Sequence, residues 1–142
     1  MQQIEAQPVE VRPPGRRPVV LVAEDSADMR AVLREILEPE GYEVVAVASG
    51  GRALSEMADR LPDLVITDLF MPGMSGFTLR SQMLRRHELT RIPVIVLSAY
   101  WQRPSETLEA VAILRKPLNV DRLLESVRRA IDGARDMQPP VG

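Results

Sequence analysis

The sequence has no cysteine, which excludes a disulfide framework and a thiolate metal site and is compatible with a reducing compartment. Long apolar runs are missing too: stretches such as Val19 to Ala23 are strand-sized, far below the roughly 20 residues that a membrane helix needs. The opening stretch, MQQIEAQPVEVRPPGRRP, has no apolar core of the kind a secretory signal carries. A cytoplasmic location, with no membrane contact, is the expectation. With a net charge of −2 and no dense basic block, direct nucleic-acid binding is not expected either. Lysine is almost absent. Of the 18 cationic side chains, 17 are arginine and one is Lys116, so a single position departs from the chain's usual choice of cation.

What is present reads as one ordinary globular domain. The 142 residues are 45% hydrophobic and 27% charged, enough to bury a core without staples. Of the 12 prolines, four lie in the first 18 residues and two in the last four. Unstructured tails over residues 1–18 and 134–142 are therefore expected around a body of residues 19–133.

Within that body, short apolar runs alternate with stretches of helical period, the pattern of βα units with a parallel sheet. Five units can be counted. The first strand, Val19 to Ala23, is continuous and rich in valine, as in a strand covered on both faces, and ends at Glu24 and Asp25. Met29, Val32, Leu33, Ile36 and Leu37 then follow the spacing of an amphipathic helix, with Ser26 as N-cap and Pro39 and Gly41 as stops. A strand at Val44 to Ala48 leads into a helix from about Arg52 to Arg60, and a third strand, Leu64 to Thr67, runs into Asp68. The loop LFMPGMSG, Leu69 to Gly76, carries turn residues, and a helix from about Phe77 to Arg86 follows it. The fourth strand, Val94 to Leu97, is followed by Ser98 and Ala99; the fifth, Val111 to Leu114, by Arg115, Lys116 and Pro117. The last helix is expected to start from a cap at Asn119, to put Val120, Leu123, Leu124, Val127 and Ile131 on one face, and to end at Gly133.

In an open α/β sheet, ligands bind beyond the carboxyl ends of the strands, where the strand order reverses. Glu24, Asp25, Asp68, Ser98 and Lys116 all fall at such ends. With strand order 2-1-3-4-5, strands one and three are neighbours and three carboxylates converge. Such a cluster needs a cation or raised pKa values, and a hard, oxygen-lined, hydrated cleft suits Mg²⁺. Magnesium in turn suits phosphate chemistry. Asp68 then reads as a nucleophile that forms an acyl phosphate, and Lys116 and Ser98 supply an ammonium and a hydroxyl for the phosphoryl oxygens.

In order along the chain, the pair Glu24-Asp25, Asp68 after an apolar strand, the loop Met71 to Gly76, Ser98-Ala99 and Lys116-Pro117 resemble the response-regulator receiver domains of two-component signalling, over Val19 to Ile131. The resemblance implies a doubly wound, flavodoxin-like, five-stranded parallel sheet of order 2-1-3-4-5. It implies phosphotransfer to Asp68 from a sensor histidine kinase or a histidine phosphotransfer protein, and Mg²⁺ held by Glu24, Asp25, Asp68 and the backbone carbonyl of Phe70. Signalling would run through contact with a downstream protein, in a stand-alone receiver that is not an enzyme; homodimerisation is left open.

This chain departs from the family pattern in three places. Glu24 stands where Asp is commoner, and Ile113 where a switching Tyr or Phe is usual. The 18 positions from Ser98 to Lys116 are about one helical turn fewer than usual, so the fourth helix is expected to be short. The signal is then expected to pass from Ser98 into the segment Tyr100 to Ser105, which holds Trp101.

Plainer readings stand beside these. Acidic residues at strand ends can be turn formers, and Ser98 a simple strand-end hydroxyl. His87 reads as a solvated residue, Phe77 and the methionines as core, and Tyr100 with Trp101 as local packing or a partner patch. Two other functions fit less well. One is a receiver-fold adaptor that acts without phosphorylation; the other is a phosphohydrolase with an aspartyl nucleophile, which would want a general acid where Phe70 sits.

Overall fold

The computed structural model describes residues 16–99 and 112–136. Residues 1–15, 100–111 and 137–142 lie outside the described residues, and with them the expected shortened fourth helix, Trp101 and most of the expected tails. Five strands, β1 (Val19–Ala23), β2 (Glu43–Val47), β3 (Leu64–Asp68), β4 (Val94–Ser98) and β5 (Ala112–Arg115), form one sheet in the order β2-β1-β3-β4-β5, and every pairing is parallel. The expected strand order is the observed one.

The three inner strands, VVLVA, LVITD and VIVLS, are buried at every residue. Alternate side chains leave a strand on opposite faces, so each inner strand feeds two cores. Leu21, Val65 and Val96 face one layer with Ala53, Met57, Leu79 and Met83. Val20, Ile66 and Ile95 face the other with Leu33, Leu37, Leu123 and Val127. These layers are built by α2 (Gly50–Asp59) with α3 (Gly76–Leu84), and by α1 (Ala27–Leu37) with α4 (Val120–Asp136). The edge strands β2 and β5 are less deeply buried.

A side-chain oxygen caps the start of each of these four helices. Ser26, Ser49 and Ser75 accept from the backbone N–H three residues on in α1, α2 and α3, and Asn119 Oδ1 accepts from Arg122 N at 2.9 Å. Each bond satisfies one of the N–H groups that a helix start leaves without a partner, worth roughly 1 kcal/mol. Ser26 and Asn119 were legible as caps from sequence. Ser49 and Ser75 were not, because glycines follow each and blur the onset of helical period.

The structure corrects several expectations. Helix α4 does not stop at Gly133 but continues to Asp136, so residues 134–136 belong to the body and not to a tail. Burial of Val127, Ala130 and Ile131 against the sheet carries the helix through a residue that opposes it only weakly. Val32 and Val120 are exposed: Val32 sits at the solvent rim of the arc centred on Leu33 and Leu37, and Val120 is the first residue of α4. At the other end, Pro18 is already tied to the sheet, its carbonyl accepting from Glu43 N at 2.8 Å. That bond also starts β2 one residue earlier than its apolar run.

A Cβ on Gly133 would meet no heavy atom within 4 Å, and its backbone is not in the left-handed region. Gly133→Ala is therefore expected to raise stability in urea by about 0.5–1 kcal/mol. A loss of stability would show that the helix ends there in a left-handed cap.

Candidate functional site

The sheet pairing carries the polar residues to one edge. Glu24 follows β1, and its N–H donates to Val47 O at 3.0 Å, extending the β1–β2 ladder by one step. Arg30 Nη1 donates to Glu24 O at 2.7 Å, and Glu24 Oε2 accepts from Ser26 N at 3.0 Å. The carboxylate is thus fixed at the start of α1, with only 1% of the residue exposed. Asp68 closes β3. Thr67 Oγ1 donates to its carbonyl at 2.9 Å, and Leu69 N donates to Leu97 O at 2.8 Å, so the backbone on either side of the carboxylate is held. Ser98 closes β4 and is fully buried. Its carbonyl accepts from Lys116 N at 2.9 Å, which brings the lone lysine in beside β4.

The loop between β3 and α3 turns under Asp68. Gly73 takes a positive φ of 83°, which favours glycine. Gly76 approaches so closely that a Cβ there would lie 2.9 Å from Asp68 O and 3.2 Å from Leu69 Cα. Any side chain at position 76 would push the loop away from the cleft.

The expected carboxylates do converge. Glu24, Asp25 and Asp68 each offer an oxygen within 4.8 Å of the others, with Glu24 and Asp68 buried and Asp25 exposed. Two like charges at that separation repel by roughly 3 kcal/mol at an effective dielectric near 20. Lys116 Nζ lies 3.2 Å from Asp68 Oδ2 and 3.5 Å from Glu24 Oε1, so one ammonium meets two of the three carboxylates in the cluster. Two negative charges remain, the number a divalent cation balances. Burial pushes the Glu24 carboxyl above its ordinary range; Asp68 and Asp25 add to the rise, against the Ser26 amide and Lys116. Hard oxygen donors, partial water access and this charge count fit Mg²⁺, with Glu24, Asp25 and Asp68 as the side chains able to hold it.

Phe70 sits two residues beyond Asp68 with 59% of its surface exposed. Ile113, beside Val96 in the β4–β5 register, is half-buried and packs on the core that contains Leu79 and Met83. His87 is exposed in a short 3₁₀ turn. Three contributors to the site escaped the sequence reading. Arg30 gave no signal, being one arginine among many; Thr67 read only as a strand residue; Gly76 read as a turn former, whereas its role is to leave room beneath Asp68.

The family model of the response regulator receiver domain matches residues 20–128. The chain belongs to that family. Among curated relatives, this receiver is 38% identical over 122 residues to the sensor histidine kinase TmoS of Ectopseudomonas mendocina, a match covering 81% of this chain and 12% of that protein. It is 31% identical over 114 residues to sporulation initiation phosphotransferase F of Bacillus subtilis, covering 78% of this chain and 90% of that protein. A solved receiver domain of a signal transduction histidine kinase from Syntrophus aciditrophicus superposes with a TM-score of 0.78 at 29% identity, covering 88% of this chain and 98% of that one. The chain spans only 12% to 58% of the length of the first curated relatives it matches. Receiver domains of two-component systems are signalling modules, and an acidic cluster of the kind found here is where the family binds Mg²⁺. Among the described residues, no helix is long and apolar enough to cross a membrane.

The raised Glu24 pKa has a thermodynamic consequence. The folded chain holds that proton more tightly than the unfolded one, so the contribution of Glu24 to stability is fully present below its unfolded pKa and is lost as pH rises through the folded value. In EDTA at neutral pH, Glu24→Gln is therefore expected to melt higher than the wild type, with 1 kcal/mol reading as roughly 4 °C. The gap should close as pH falls below the ordinary glutamate range. A gap that widens on acidification would show that Glu24 is stabilised as a carboxylate.

Proposed function

We propose that this receiver accepts a phosphoryl group on Asp68, with Mg²⁺ held by Glu24, Asp25, Asp68 and the Phe70 carbonyl, and signals by phosphorylation-dependent contact with a partner protein. The observation that carries the proposal is the Lys116 ammonium 3.2 Å from an Asp68 carboxylate oxygen, at the edge where the three carboxylates meet. A carboxylate nucleophile needs a cation ready to take up charge on the group it acquires. The donor would be a sensor histidine kinase or a histidine phosphotransfer protein, and the likenesses to TmoS and to sporulation initiation phosphotransferase F support that choice.

In the proposed step an Asp68 oxygen attacks phosphorus in line, the bond from phosphorus to the donor imidazole nitrogen breaks, and the nitrogen leaves with the electron pair. Bound Mg²⁺ would supply charge neutralisation at the phosphoryl oxygens. Lys116 exchanges its contact with Asp68 for one with a phosphoryl oxygen, and the Ser98 hydroxyl donates to another. The cost of separating Lys116 from Asp68 is moderate, because the ammonium keeps an anion within reach throughout. Ile113 is aliphatic and packed, which favours a signal that leaves through the end of β4 rather than through a moving side chain on β5. The phosphohydrolase reading is weaker, since the exposed Phe70 ring has no proton to give where a general acid would be wanted.

Incubation with acetyl phosphate and Mg²⁺ should add about 80 Da, one phosphoryl group, to the intact mass of the wild type. No gain is expected for Asp68→Asn or in EDTA. Equal labelling of Asp68→Asn would overturn the assignment.

Lys116→Ala should bind Mg²⁺ at least as tightly as the wild type, because a competing cation is gone, yet lose the change in Trp101 fluorescence expected on adding beryllofluoride. Lys116→Arg should not restore that change, since a forked guanidinium is not a compact point charge. Full restoration by arginine would show that any cation serves.

A further inference from the structure

At the far end of the sheet from the acidic edge, a second concave feature is lined by residues with no part in that chemistry. It is a cleft of about 480 Å³ between α3, the approach to β4 and the second half of α4, within the range of roughly 300–1,000 Å³ typical of small-molecule sites. Three arginines, Arg80, Arg91 and Arg129, line it, and none of its lining residues is acidic. Ile92, Pro93 and Ala130 give it an apolar wall.

The three guanidinium groups are held to different degrees. Arg80 is buried and donates from Nη1 to Ile92 O at 3.3 Å, which anchors it to the segment leading into β4. Arg129 is tied through Nε to Glu125 Oε2 at 2.7 Å, a contact that orients the group and does not engage its terminal nitrogens. Arg91 is exposed. A planar fork of N–H donors matches an oxyanion in geometry as well as in charge, and the apolar wall rewards a ligand with a hydrocarbon or aromatic body.

We infer that this cleft is a binding site for a small organic anion, an oxyanion head on an apolar body, separate from the Asp68 site and able to bind without Mg²⁺. The ligand would bridge α4 and the segment before β4, the strand that ends in Ser98. Because it would bind the folded chain and not the unfolded one, it should raise the melting temperature in a saturable way.

Phenyl phosphate serves as the probe, with thermal shift and amide NMR titrations of the full chain in EDTA, conditions in which the uncompensated carboxylates at the other edge repel anions. The expected result is a saturable response, with the shifted amides near Arg91 and Ala130. The dissociation constant should rise about tenfold or more in the double variant Arg91→Ala/Arg129→Ala and stay unchanged in Asp68→Asn. Both arginines of the double variant are exposed, so it should fold, and its far-ultraviolet circular dichroism and Tm without ligand check that it has. Phenol should give no response and inorganic phosphate a weaker one. A non-saturable response, an undiminished response in the double variant, loss of binding in Asp68→Asn, or inorganic phosphate binding as tightly as phenyl phosphate would each overturn the inference.

Discussion

The parallel adjacency of β1 and β3 is the constraint on which the rest depends. It sets Glu24 and Asp25 beside Asp68, and because backbone hydrogen bonds hold both strand ends, only side-chain rotation can move the carboxylates apart. Glu24 is fastened by its own N–H, by Arg30 on its carbonyl and by the Ser26 amide on its carboxylate. Asp68 is flanked by bonds from Thr67 and Leu69. The repulsion is imposed by the ladder, and the Lys116 ammonium only partly relieves it. An edge built this way carries more carboxylates than ammonium groups because of where the backbone places their Cα atoms.

Such a frustrated edge is tolerable because the two cores hold the sheet firmly. Each inner strand is buried along its whole length, and its alternate residues pack against helices on both faces. The same separation explains why polar chemistry collects at the strand ends: the strand interiors have no room for it, and the loops beyond them are where backbone and carboxylate can meet water.

Much of this was legible in the sequence. The inner strands announced themselves as unbroken apolar runs, each leading into a polar residue; the alternation of elements pointed to a parallel sheet, and the strand order, with the convergence of Glu24, Asp25 and Asp68 that depends on it, came from the resemblance to receiver domains. What was not legible depended on contacts distant in sequence. Arg30 reaches back to Glu24 only because α1 starts where it does, and Gly76 lies against the Asp68 carbonyl only once the loop has closed. The run past Gly133 was missed because a local signal, glycine as a stop, was outweighed by packing of Val127 and Ile131 on the sheet. Val32 and Val120 erred in the opposite sense: helical spacing marks an apolar arc wider than the strip that the sheet covers.

The bond from Lys116 N to Ser98 O means that the hydroxyl and the ammonium are mounted on two strands cross-linked one step from each group. Under the proposed chemistry they work as the jaws of a caliper whose mounts are set during folding, while the flexible lysine stem lets one jaw move. Little backbone ordering entropy is then left to lose when an oxyanion arrives between them. The relative placement of the two mounts then resides in a main-chain hydrogen bond, which a change of either side chain does not remove.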